Sequence, residues 1–216
     1  MDRRQRYREE TRQEAKRIAL EQLAADGMAG ISVNAIGKRM GVTGPALYRY
    51  FANRDALLTE LISDAYHELA DTLEQAIAAA PDDRMRAGAT AMRNWALNAP
   101  HRYLLLFGTP VPGYEAPPHT LDAASRSMVA LLSAAGPDDG EPPAEPLKGQ
   151  LTAWGERMGY DGLTPRQLQW GLTVWSRLHG LISLEVANQF ALTQVDPAEL
   201  FEAEVTALAA WWGPDA

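Results

Sequence analysis

The sequence predicts an all-α protein in two parts: a three-helix N-terminal helix-turn-helix domain over 1–53 and a larger helical domain over 54–216. Three observations predict it. Residues 32 to 58, SVNAIGKRMGVTGPALYRYFANRDALL, hold two short amphipathic segments around a Gly-containing turn. From Thr11 onward, apolar residues recur at helical spacing between Pro- and Gly-rich breaks. Finally, Thr164-Pro165-Arg166-Gln167 and Asp196-Pro197-Ala198-Glu199 each place a cap, a Pro at the first helical position and Gln or Glu at the third, as a capping box requires.

Taken in order, residues 1 to 10, MDRRQRYREE, show no apolar period and read as a frayed basic arm. Arg3, Arg4, Arg6 and Arg8 suit phosphate or an adjacent minor groove, and equally a solvated helix start. Ala15, Ile18, Ala19, Gln22 and Leu23 then form one face of a first helix that Gly27 ends. Ser32 is a good N-cap for a second helix with Val33, Ile36, Gly37 and Met40 on one side. Gly41 suits a left-handed stop, and Thr43 suits the cap of a third helix with Gly44 and Pro45 in its first turn. That helix turns Leu47 and Phe51 inward and leaves Pro45, Tyr48 and Arg49 facing out, and such a second helix can enter a major groove. Asn53 caps a fourth helix running to about Ala80 on Leu57, Leu58, Leu61, Ile62, Ala65 and Leu69. Arg54 sits in its first turn, where the macrodipole disfavours a cation unless an anion compensates, and a DNA phosphate would supply one.

Helices follow over 82–98, 101–107, 121–134 and 147–158. Between them lie GTPVPGYEAPPH, 108 to 119, too rich in Pro and Gly for regular structure, and the acidic GPDDGEPPAEP, 136 to 146, expected to be exposed and mobile. The two capped helices close the chain. Leu172, Ile182 and Val186 on the first, and Phe201, Val205, Leu208 and Trp212 on the second, give more apolar surface than a single chain is expected to cover.

Composition narrows the function classes. There is no cysteine, which excludes disulfides, thiolate metal sites and a Cys nucleophile. No apolar run approaches ~18 residues and no signal peptide is visible, so the chain is expected to be cytoplasmic. The net charge of −8 divides unevenly: residues 1 to 60 hold 11 Lys/Arg against 8 Asp/Glu, a balance of +3, and the remainder balances at −11. A basic end on an acidic body orients a molecule toward phosphate. No GxGxxG, Walker A, HExxH or GxSxG pattern is present. Asp64 with His67 is the one short-range metal-like pair, short of the three or four ligands that zinc needs, so neither an enzyme nor a cofactor is expected.

The Gly-Val-Thr turn, the Ala-Leu-Tyr-x-Tyr-Phe segment and the Asn-Arg-Asp-Ala-Leu-Leu entry into the fourth helix resemble the DNA-binding domain of TetR-family transcriptional regulators, without gaps over roughly residues 10 to 62. The WSRLHG segment, Trp175 to Gly180, and the LLFGTPVPGY segment ending at Tyr114 resemble the regulatory domain of an actinobacterial subgroup of that family. The resemblance implies a homodimer built on the two C-terminal helices, a palindromic double-stranded DNA operator and a small-molecule effector bound in the helical body. For DNA it points to Ser32, Thr43, Gly44, Pro45, Tyr48, Arg49, Tyr50 and Arg54. Lys38 is a weaker phosphate candidate on the exposed side of the second helix. Thr43 and Tyr50 suit phosphate oxygens, and Tyr48 a phosphate or a thymine methyl. Arg49 suits a guanine edge, a phosphate or a neighbouring acid, while Tyr50 is also a candidate core ring.

For the effector, Met92, Trp95, Tyr103, Phe107, Met128, Trp154, Trp170, Trp175 and His179 are large amphipathic side chains that fit an apolar cavity as a group and core packing one by one. His179 suits a satisfied core position or a polar ligand anchor. The expected function is a dimeric regulator, a repressor released from its operator by a small apolar or aromatic molecule. A DNA-binding architectural protein without effector is the alternative, which would not need so large an acidic, aromatic-rich body.

Overall fold

A computed structural model describes residues 2–109, 113–138 and 140–212, without the side chains of His119 and Trp212. Among the described residues it holds ten α-helices and no strand: α1 Arg3–Asp26, α2 Val33–Arg39, α3 Gly44–Leu47, α4 Arg54–Ala79, α5 Arg84–Asn98, α6 Pro100–Phe107, α7 His119–Leu132, α8 Leu147–Met158, α9 Pro165–Val186 and α10 Pro197–Trp212. The all-α reading is what the molecule shows. Packing divides it into two units. The first comprises residues 1–65 with 99–120, in which α6 packs with α1; the second comprises 66–98 and 121–216. The division between the two packed units therefore falls inside α4, between Ala65 and Tyr66.

In the first unit, helix formation begins eight residues earlier than the apolar period suggests. α1 is helical from Arg3, so the 3–10 stretch is a solvated helix start and not a frayed arm. Arg, Gln and Glu are good helix formers that need no buried face to continue a helix already nucleated. The Asp2 N–H donates to Gln5 Oε1 at 3.3 Å, and Gln13 Nε2 to Glu9 Oε1 at 2.7 Å. The core of this unit comes from Ala15, Ile18, Ala19 and Leu23 of α1, Val33 and Ile36 of α2, Leu47 and Phe51, and Leu57, Leu58, Leu61 and Ile62 of α4, joined by Tyr103 of α6.

In the second unit, the capping boxes behave as the sequence says at α9. Thr164 Oγ1 accepts from Gln167 N–H at 3.1 Å while Gln167 Oε1 accepts from Thr164 N–H at 2.9 Å. At α10, Asp196 Oδ1 accepts from Ala198 N–H at 2.8 Å. The 136–146 loop is not wholly free, because Asp138 receives Thr164 Oγ1 and Arg166 Nη1, the latter at 2.9 Å. Burial alone would raise the Asp138 pKa, but the Thr164 and Arg166 donors outweigh it and hold the carboxyl below its ordinary value.

The apolar surplus of the last two helices needs correction. Ile182, Phe201, Val205 and Leu208 are buried inside a single chain, so they cannot present contact surface to a second copy. Val186 is half-buried, Leu172 stays exposed, and the Trp212 side chain lies outside the described residues. The apolar side chains left outside are Leu172, Trp175 and Leu184 of α9 and Leu200 and Trp211 of α10. Leu172 and Leu184 sit on one stripe of α9 at four-residue spacing through exposed Ser176 and Gly180. Leu200 and Trp211 share a stripe of α10 through Glu204 and Ala207, and Arg177 Nη1 ties the two helices to Glu204 at 2.9 Å.

Candidate nucleic-acid interface

The turn between α2 and α3 is set by backbone geometry. Gly41 adopts φ +68°, the left-handed conformation that ends α2, and Val42 N–H returns to Gly37 O at 3.0 Å. Gly44 opens α3, and a Cβ there would stand 2.8 Å from Asn34 Oδ1, so a larger residue would displace the Asn34 side chain of α2. Ser32 caps α2 with its Oγ on Ala35 N–H at 3.3 Å, and its own N–H donates to Gln22 Oε1 of α1 at 3.0 Å. Thr43 departs from expectation: its side chain makes no cap, since its carbonyl already receives Ala46 and Leu47 N–H. Its hydroxyl stands at the exposed start of α3.

α3 itself is only Gly44–Leu47, continued by turns through Tyr50. Leu47 and Phe51 are buried to 0% and 1% exposure, which anchors the segment. Pro45, Tyr48 and Arg49 face outward, with Tyr48 45% exposed, and Lys38 is exposed in the last turn of α2. Tyr50 is half-buried, between its two sequence readings. Thr43, Pro45, Tyr48 and Arg49 are thus all exposed along the α3 segment, and Asn53 Oδ1 then caps α4 through Ala56 N–H at 2.7 Å.

Arg54 is corrected in its physical cause. Its Nε donates to Ile31 O at 3.1 Å and its Nη2 to Met28 O at 2.6 Å. The cation at a helix N-terminus is therefore compensated by two carbonyls of the α1–α2 connection, and no phosphate is needed to explain it. Its guanidinium locks that connection to α4.

Sequence reasoning missed Arg12. From α1 its Nη1 donates to Tyr50 O at 2.8 Å, its Nη2 pairs with Glu60 of α4, and its guanidinium lies 5.0 Å over the Phe51 ring. One side chain thus holds the end of the recognition segment to both long helices. One turn further on, Lys16 Nζ pairs with Asp64 Oδ2 at 2.6 Å, which gives Asp64 a structural partner in place of the metal-like pairing with His67. The readable signal was the matched spacing, Arg12 with Lys16 and Glu60 with Asp64 at i, i+4 on each helix.

The effector candidates fall into separate groups. Tyr103 and Phe107, with ring centroids 5.1 Å apart, belong to the first unit. Met92, Trp95, Met128, Trp154, Trp170, Trp175 and His179 belong to the second. There, Met128 and Trp154 pack against a cluster of Leu132, Leu151, Tyr160 and Leu168, and Trp170 is fully buried. Trp175 meets His179 edge to face at 4.5 Å, and burial pushes the His179 imidazole down to about 4, so it is neutral at ordinary pH. Trp95 Nε1 is buried with no acceptor among the described residues, an arrangement that costs about 1–3 kcal/mol.

Comparison with known proteins bears on this geometry directly. Residues 17–61 match the profile of the bacterial regulatory proteins of the tetR family, and residues 85–208 that of the tetracyclin repressor-like C-terminal domain. A helix-turn-helix-type transcriptional regulator of Mycobacterium tuberculosis is 36% identical over 215 residues, 91% of each chain. The solved protein SCO4313, assigned a regulatory role, is 44% identical, with TM-score 0.82 over 96% of this chain and 98% of that one. A solved Rhodococcus protein of unknown function, 22% identical, shares the fold with TM-score 0.69 over 92% and 93% of the two chains.

Proposed function

The chain belongs to the TetR family of bacterial transcriptional regulators, DNA-binding helix-turn-helix proteins rather than enzymes, and on that footing we propose that it is a dimeric, ligand-responsive repressor. The observation that carries the DNA reading is the outward surface of Thr43, Pro45, Tyr48 and Arg49 over the buried Leu47 and Phe51. Gly44 lets the backbone approach, Thr43 and Tyr50 serve phosphate oxygens, and Tyr48 and Arg49 reach base edges or the backbone beside them. Ser32 and Lys38 flank this surface, and Arg54 locks the α1–α2 connection to α4. Two such heads, roughly 34–36 Å apart, read successive major grooves of a palindromic operator. The second copy docks on the α9–α10 face of Leu172, Ser176, Gly180, Leu184, Leu200 and Trp211, where apolar and small side chains stand exposed. The protein acts in the cytoplasm, where its DNA is, and no described helix is long and apolar enough to cross a membrane.

The effector is a small apolar or aromatic molecule carrying a hydrogen-bond acceptor for Trp95 Nε1, the buried donor that the described protein leaves unmatched. It competes with the operator through α4, whose Arg54 end and Ala79 end belong to different units. Effector and DNA then weaken each other equally, by about 1–3 kcal/mol of coupling.

Tyr48→Ala tests the DNA reading. Because the ring is 45% exposed, its loss leaves the fold intact. Affinity for duplex selected from a random pool drops roughly five- to 150-fold, the loss of about 1–3 kcal/mol that one base or backbone contact carries. Wild-type affinity in a mobility-shift titration would remove Tyr48 from the interface.

A further inference from the structure

Four cations stand on one stripe of α1 at four-residue spacing: Arg4, Arg8, Arg12 and Lys16. The two inner ones are paired, Arg12 with Glu60 and Lys16 with Asp64, each forty-eight residues on in the chain. A constant offset means that α1 and α4 run side by side in the same direction. Carried back along α1, the same offset sets Arg8 against Ala56 in the first turn of α4 and leaves Arg4 beyond the start of that helix. The ladder of cations therefore continues beyond the ladder of carboxylates. Arg4 and Arg8 are exposed and have no ion pair or hydrogen bond among the described residues.

Their place in the unit gives them a direction. Arg12 lies against the Tyr50 carbonyl, at the end of the recognition segment. From Arg12 back to Arg4, α1 advances about 12 Å toward the end of the unit where α4 begins. Residues 2 to 10 are all exposed, so the protein itself gives this stretch no surface to pack on. The face that packs inside the unit at Ala15 and Ala19 presents two guanidinium groups once it passes the unit.

We propose that Arg4 and Arg8 form a helical outrigger that grips DNA phosphates outside the half-site read by α3. The partner is the backbone of the duplex that the recognition segment already engages, so the inference rests on the regulator reading above. Guanidinium groups on a rigid helix suit phosphate oxygens, and contacts of this kind add affinity without adding sequence preference. Arg3 and Arg6 lie off the stripe and are not needed for it.

The test uses the full-length protein and a duplex selected from a random pool by the wild type, prepared in two lengths. One ends at the edges of the two half-sites; the other carries one further helical turn, about 10 base pairs, on each side. Arg4→Ala with Arg8→Ala favours the helix and leaves the packed unit untouched, which circular dichroism checks. On the long duplex, the slope of log affinity against log salt becomes shallower by about 2 per chain, so the variant loses about tenfold less affinity per chain between 50 and 200 mM salt than the wild type does. Sequence ranking stays the same, Arg4→Lys with Arg8→Lys restores most of the slope, and on the trimmed duplex the alanine variant equals the wild type. An unchanged slope on the long duplex, with the wild type binding well, overturns the outrigger and spares the regulator reading. Equal losses on both lengths overturn its placement outside the half-site. A wild type that selects no duplex overturns both readings.

Discussion

His179 shows how one buried side chain writes a pH dependence into the fold. It is 8% exposed, and burial lowers its pKa from 6.5 to about 4. The unfolded chain thus binds a proton between those values that the folded chain refuses, so stability rises with pH through this window. Above pH 6.5 both forms are neutral and the group contributes no dependence; as pH falls toward 4 it costs up to about 3 kcal/mol. His179→Gln removes the titration, so denaturant titrations from pH 7 to 4 should show the wild type losing up to about that much more stability than the variant. Identical pH profiles would mean that the imidazole titrates normally. At this scale the sequence was legible where one residue's chemistry decides the outcome, as with the Ser32 and Asn53 caps. It was not legible where a partner distant in the chain decides. Arg54 looked like a phosphate ligand because its carbonyl partners, Met28 and Ile31, are invisible to a count of charges.

Elements followed the helical period well, and their outer faces less so. The period marks which residues leave water but not what covers them. Val205 and Leu208 have the same apolar spacing whether a neighbouring helix of the same chain or a second copy does the covering, and here the chain covers them itself. A charge at Leu208, buried to 0% exposure, would be unpaired in the core. Leu208→Asp should therefore unfold the protein, with a loss of about 4 kcal/mol or more, rather than release folded monomers. Leu184→Glu has the opposite expectation. Its position is 45% exposed, on the α9 stripe with Ser176 and Gly180, so the monomer keeps its melting temperature within a few degrees. Sedimentation should then show one chain where the wild type shows two. A folded monomer from Leu208→Asp, or a persistent dimer from Leu184→Glu, would move the interface elsewhere. The N-terminal stretch of α1 failed the period in the other direction, because a helix rich in Arg, Gln and Glu with no buried face has no apolar signal to read.

For the whole molecule, the uneven charge was legible in the sequence and the division into units was not. Counting charges places +3 on the first 60 residues and −11 on the rest. It does not reveal that 99–120 returns to pack with the N-terminal unit, because that depends on α6 meeting α1 and not on any local pattern. The charge asymmetry has a consequence for assembly. A single N-terminal unit with a weakly positive balance binds one half-site weakly, and the acidic body adds no affinity for DNA. High affinity then needs two linked heads, where the second binding event becomes intramolecular and gains about 10²–10⁴-fold. Leu184→Glu, as a folded monomer, should accordingly bind a duplex with both half-sites no more tightly than one with a single half-site. The wild type should prefer the former by about that factor at matched salt. A monomer that keeps the wild-type preference for two half-sites would mean that DNA itself assembles the pair, and the α9–α10 face would then not be what sets operator affinity.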